Sequence, residues 1–186
     1  VGEPEQNPSG VILRFEEIKC YPDFSVWEKH SGLLSELREV FGSVDSAQLF
    51  VKSCREKARS GKMLFCPRTC NRRCKAQLRD KRWASHRHRF RYASGNKRWG
   101  SYEVDFLKER VACELQFGKY AFMPDNVMKF EIFNKFLGII DVGVLIVPSK
   151  SLQFMMSTGP GCFQQIVQRL DDLRYGNPLV VIGLGA

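Results

Sequence analysis

The chain has 186 residues, is 44% hydrophobic and 26% charged, and carries a net charge of +9. That length is enough for one α/β domain with a proper core, and no apolar run reaches the length of a membrane span. Seven cysteines, an odd number scattered from Cys20 to Cys162, do not form a secreted disulfide framework and point to a reducing cytoplasm.

Residues 1–10 are polar and rich in turn formers, so a disordered lead-in is expected there, followed by one domain over residues 11–186. Alternation predicts a strand over 11–18. A helix follows within 24–41, clearest over 33–41, with Gly42 as its stop. Residues 46–59 read as a second helix, with Leu49, Phe50 and Cys54 on one face and Gly61 after it. Cys54 and Cys113 sit in apolar patterns and read as buried thiols.

The segment 66–98 reads as a basic insertion with no clear period. It holds twelve Lys or Arg and one acid, Asp80, leaving 17 basic and 19 acidic residues for the rest of the chain. One strongly basic stretch on a near-neutral domain is the footprint of a polyanion such as nucleic acid. Trp83, Phe90, Tyr92 and Trp99 are interleaved with its arginines, a pattern suited to stacking. Arg68, Arg72, Arg73, Arg87, Arg89 and Arg91 are candidates for holding phosphates, which sets affinity but not sequence preference.

Beyond this segment, residues 102–107 and 111–117 read as two strands. A helix is expected over 126–137, a buried strand over 139–147, a turn over 157–161, a helix over 163–174 and a last strand over 179–184. The order predicts an α/β fold, a single-domain mixed β-sheet core flanked by helices.

Chemistry concentrates in the hairpin. Centred between Glu109 and Arg110, its register sets Asp105 opposite Glu114 and Glu103 opposite Gln116, with paired β-carbons about 5 Å apart. Two carboxylates that close repel unless a proton or cation lies between them, and a hard divalent ion with oxygen ligands would relieve the repulsion. Val104, Phe106, Val111, Cys113, Leu115 and Phe117 form the opposite, apolar face. Glu109-Arg110 is a poor type I′ pair, so a longer loop with the same centre is expected. The pattern equally fits an ordinary amphipathic hairpin with solvated acids.

A second constellation is Cys66, Cys70, Cys74, His86 and His88, spaced C-x3-C-x3-C-x11-H-x-H. Such ligands could close a structural zinc site and keep a core-poor segment folded; free thiols and phosphate-contacting imidazoles are the alternative. There is no Walker loop, GxSxG, HExxH or dinucleotide fingerprint.

The Asp…Glu-x-Gln layout resembles the PD-(D/E)XK nuclease plan with Gln in place of the usual Lys. Around it stand Val104-Asp105-Phe106-Leu107, Glu114-Leu115-Gln116-Phe117-Gly118-Lys119-Tyr120-Ala121-Phe122, and Asn126 opening an aromatic-rich helix. Farther on come the strand 141–147, then Gln164, Gln165 and Leu170 before Val180 to Leu184. Together these resemble the BglII-type restriction endonucleases over about 99–184. Before Trp99 only a strand followed by a helix is shared, and the Cys- and Arg-rich segment has no evident counterpart. The resemblance implies a restriction-endonuclease-like fold and a Mg²⁺-dependent homodimer that cuts both strands of a short palindrome in double-stranded DNA. It implies that Asp105 and Glu114 ligate Mg²⁺ with the Leu115 carbonyl and that Gln116 orients the attacking water. It also implies base reading from loops 119–126 and 157–161, where Asn126, Ser157 and Thr158 can reach base edges or cap local turns. The rival readings are a repair or modification-dependent nuclease on the same core, a zinc-stabilised nucleic-acid-binding module without catalysis, and a structural protein with a basic loop.

Overall fold

The structure is a computed structural model that describes residues 12–53, 59–91 and 99–186. The expected lead-in, Cys54 and Tyr92 lie outside these residues, as does the side chain of Trp99.

The frame is a six-stranded mixed sheet. Its strands are β1 (Arg14–Tyr21), β4 (Ala84–Arg91), β5 (Trp99–Lys108), β6 (Val111–Leu115), β7 (Val142–Pro148) and β8 (Leu179–Gly185), in the order β1-β8-β7-β6-β5-β4. β6, β7 and β8 run parallel, while β1, β4 and β5 join antiparallel. A separate hairpin joins β2 (Phe50–Lys52) to β3 (Met63–Phe65).

Both faces of the sheet are covered, and the strands alternate cleanly between two cores. Val144, Ile146, Val180 and Ile182 pack against α2 (Ser31–Ser43) and α3 (Pro67–Asp80). Leu145, Val147, Leu179 and Val181 pack against α4 (Met123–Glu131) and α6 (Phe163–Asp172). The α/β expectation is therefore met in a three-layer form. Two short helices complete it, α1 (Ser25–Lys29) and α5 (Lys150–Phe154).

Several expectations give way to tertiary contacts. Where a helix is expected over 46–59, the described residues 46–52 form a 3-10 turn, Ser46–Leu49, capped by Asp45, and then β2. Phe50 pairs with Phe65 across the small hairpin, and Phe65 meets Phe117 edge-on at 5.7 Å. The described part of the basic segment, read as without clear period, is regular: α3 buries Cys70, Cys74 and Leu78 at helical spacing, and β4 forms an edge of the main sheet. Trp83, expected among stacking residues, is 1% exposed and donates its indole N–H to Glu36 at 3.0 Å. The hairpin loop has two residues, Glu109 and Arg110, both at positive φ, as a type I′ turn requires. Arg110 is held there by Asp141 at 2.9 Å and the Gly138 carbonyl at 2.8 Å. These bonds offset the strain that a non-glycine residue meets in this conformation.

Gly143 on β7 fixes how near α4 lies. A Cβ at this position would stand 2.5 Å from the Phe130 ring. Gly143→Ala is expected to cost about 1–3 kcal/mol by overpacking, read as a lower urea midpoint; an unchanged midpoint would show that α4 is free to back away.

Candidate active site

The site is made by a fork between β5 and β6. Phe106, Leu107 and Lys108 pair with Cys113, Ala112 and Val111, which is the register expected from sequence. On its other edge β5 shifts register: Ala84 pairs with Leu107, but His86 pairs with Val104. β5 thus carries an extra residue at Asp105–Phe106, a bulge that re-aims side chains. Val104 consequently joins the α4–α6 core, while Phe106, Val111, Cys113, Leu115 and Phe117 share the other, so the apolar face expected from sequence holds for all but Val104. Glu103 lies opposite Arg87 on β4, with which it forms an ion pair, and not opposite Gln116.

Asp105 and Glu114 nevertheless meet. The Asp105 carboxyl accepts the Leu115 N–H at 3.2 Å and lies within hydrogen-bonding reach of the Glu114 carboxyl. Glu114 is 6% exposed rather than solvated. Lys129 of α4 donates to its Oε1 at 2.5 Å and to the Glu103 carbonyl at 3.0 Å. Burial first, and the Asp105 charge second, push the Glu114 carboxyl up to about 8, with Lys129 pulling the other way.

This pair fits a hard divalent cation. The donors are oxygens, and one of the two carboxyls resists ionisation because no adequate counter-charge faces both. Asp105, Glu114 and the Leu115 carbonyl are the groups that would hold such an ion.

Gln116 stands at the mouth of the fork with both ends of its amide engaged. Its Nε2 donates to the Lys119 carbonyl at 3.1 Å, and its Oε1 accepts from Asn126 at 2.8 Å. Asn126 is buried within α4, which begins three residues earlier than expected, and its amide is turned to Gln116. Ser157 and Thr158 are exposed in the loop before α6.

The basic residues fall into two groups. Arg72 and Lys75 of α3 line a depression of about 170 Å³ with Asp105 and Asn71, whose buried Oδ1 has no hydrogen-bond partner among the described residues. A larger cleft of about 630 Å³ continues past Asn71 and Leu115 to Arg68, Gly118 and Ser157. Arg73 is half-buried on α3. Arg87, Arg89 and Arg91 are exposed on one face of edge strand β4, while His86, His88 and Phe90 take the other. Phe90 stacks on Tyr102 with centroids 4.7 Å apart.

The zinc expectation fails. Cys70 and Cys74 belong to the α2–α3 core with sulfurs 3.9 Å apart, and Cys66 lies at the start of α3. The His86 ring packs on Phe133, a residue of the opposite core, so the sheet separates it from Cys70 and Cys74. Among the described residues no three His, Cys, Asp or Glu side chains gather where they could hold a metal. Burial of Cys70, Cys74, Leu78 and Trp83 is what keeps the segment folded.

The family model for restriction endonuclease BglII/BglIII matches residues 25–184. The chain belongs to that family. Its members are DNA-cleaving restriction enzymes, and the match includes the Cys- and Arg-rich segment, so the likeness starts well before Trp99. The type II restriction enzyme BglII of Bacillus subtilis is 26% identical over 157 residues, which cover 79% of this chain and 67% of that protein. The crystal structure of BglII complexed with a DNA 16-mer superposes with a TM-score of 0.70 at 20% identity, over 95% of this chain and 77% of that one. Free BglII gives 0.61 at 18% identity, over 93% and 79%. These two likenesses establish the restriction-endonuclease-like fold.

Lys129 and Asn71 were missed from sequence. Lys129 follows Asn126 by three residues and precedes Phe133 by four, so it shares the buried face of α4; a lysine at core spacing was the available signal. Asn71 carried none, because its closeness to Asp105 arises only when α3 packs across the sheet.

The Glu114 shift makes stability depend on pH. Its carboxyl binds a proton more tightly folded than unfolded, so the stability it lends is full below the unfolded value of 4.5 and is lost as pH rises towards about 8. Glu114→Gln in metal-free protein is expected to raise the melting temperature at pH 8 by several degrees and to change it little at pH 5. Equal effects at both pH values would remove the buried-proton account.

Proposed function

We propose that this chain is a Mg²⁺-dependent type II restriction endonuclease that acts as a homodimer in the cytoplasm and cuts both strands of a short palindromic DNA site. The observation that carries this reading is the meeting of Asp105 and Glu114 at the β5–β6 fork, beside a depression lined by Arg72 and Lys75. Family membership supports the same activity. Six free cysteines among the described residues fit a reducing compartment, and no helix among them is long and apolar enough to cross a membrane.

When bound, the divalent ion would neutralise charge at the scissile phosphate and make water a better nucleophile. The chain does the rest by positioning. Asp105 is fixed by the Leu115 N–H, and Glu114 by Lys129. Arg72 and Lys75 draw a phosphate to the depression beside Asp105, and Arg68, Arg87, Arg89 and Arg91 extend the basic track. Gln116 ties the strand end to α4 through Asn126 and orients water only by giving up one of its amide bonds. Ser157 and Thr158, exposed at the cleft end, are the candidate base readers.

Asp105→Asn and Glu114→Ala are each expected to lower plasmid cleavage with Mg²⁺ by about 10³-fold or more with the fold intact by circular dichroism. Full cleavage by either variant would end the assignment, and sequencing the cut ends on methylated and unmethylated plasmid tests the palindromic specificity. DNA binding is expected to weaken steeply with salt, by roughly 10³-fold between 50 and 200 mM if six or more phosphates are neutralised. A flat response in a titration followed by fluorescence anisotropy would take the basic residues out of the interface.

A further inference from the structure

We infer that Lys129 is the resident counter-cation of the candidate metal site: its ammonium occupies Glu114 until a divalent ion displaces it. The inference rests on the function proposed above and assigns a positioning residue to it.

Three observations carry it. Lys129 reaches down from α4 and is 14% exposed at its side chain, facing a Glu114 side chain that is 8% exposed. The ammonium also donates to the Glu103 carbonyl, so one side chain joins α4 to both arms of the fork. The place two residues beyond the acid, where the nuclease plan has a lysine, holds Gln116, whose amide is already bonded to Asn126 and the Lys119 carbonyl. The positive charge in contact with Glu114 therefore comes from α4, 15 residues beyond it.

Two cations in contact with one buried carboxylate repel strongly, because little water screens them. An ion held by Asp105 and Glu114 therefore competes with the ammonium for Glu114. The Glu103 carbonyl then keeps Lys129 beside the site, where its charge faces a phosphate. A mere strut between helix and hairpin would not compete with the ion; a counter-cation would.

Calorimetric titration with Mn²⁺ and no DNA separates the two. Lys129→Met is expected to bind Mn²⁺ roughly ten-fold tighter than the unaltered protein, and Lys129→Arg, which keeps the charge, about as tightly as it. Lysine acylation of the unaltered protein, read by mass spectrometry, supplies a second test that needs no variant. Lys129 should be protected in metal-free protein and react several-fold faster with saturating Mn²⁺. Unchanged or weaker Mn²⁺ binding by Lys129→Met, or Lys129 acylation indifferent to Mn²⁺, overturns the inference. If the unaltered protein still binds Mn²⁺ and cuts DNA, the proposed function survives that result. Absence of Mn²⁺ binding by the unaltered protein overturns both.

Discussion

Two carboxyl groups held together, one of them buried, repel each other, and the β5–β6 fork holds such a pair in place. Asp105 is fixed at the bulge of β5 by the Leu115 N–H. Glu114 sits on a fully buried strand. Glu114 cannot retreat into solvent without breaking the sheet, whereas Asp105 faces the depression beside α3. The repulsion is met in part by a proton and in part by Lys129. Lys129 touches Glu114 and not Asp105, so the pair still has room for a divalent cation that meets both carboxyls.

The three layers make this arrangement accessible. Pairing between β5 and β6 ends at Phe106 and Cys113, and the extra residue in β5 opens the fork at the place where the acids stand. From one face α3 brings Asn71, Arg72 and Lys75 to Asp105. From the other, α4 brings Lys129 to Glu114 and Asn126 to Gln116. A glycine on β7 lets Phe130 of α4 sit against the sheet, which sets the reach of Lys129. Core packing and site geometry are thus one problem here: the close approach that fills the α4–α6 core also delivers the ammonium.

The basic segment has two duties. Its buried residues, Cys70, Cys74, Leu78 and Trp83, fasten α3 and its C-terminal turn to the α2–α3 core. Its exposed arginines on β4 then project from a rigid strand rather than from a loose loop. Charges on a fixed edge lose less conformational entropy on meeting a polyanion than charges on an unstructured segment would.

The sequence alone determined the fold class, the hairpin register and the acidic pair. Strand period and residue pairing are local or near-local properties, and the run Val142 to Val147 reads as a buried strand because it is short, rich in β-branched residues and stopped by Pro148. It also held the family likeness, because Asp105, Glu114 and Gln116 lie within twelve residues of one another. Tertiary structure decided the remainder. The bulge that sends Val104 to the other core, the two-residue turn held by Asp141 and Gly138, and the sheet that keeps Cys70 from His86 all depend on partners distant in the chain. So do Lys129 at Glu114 and Asn71 at Asp105. Such contacts form when helices settle on opposite faces of one sheet, and no periodicity within a helix says which residue of a strand will lie beneath it.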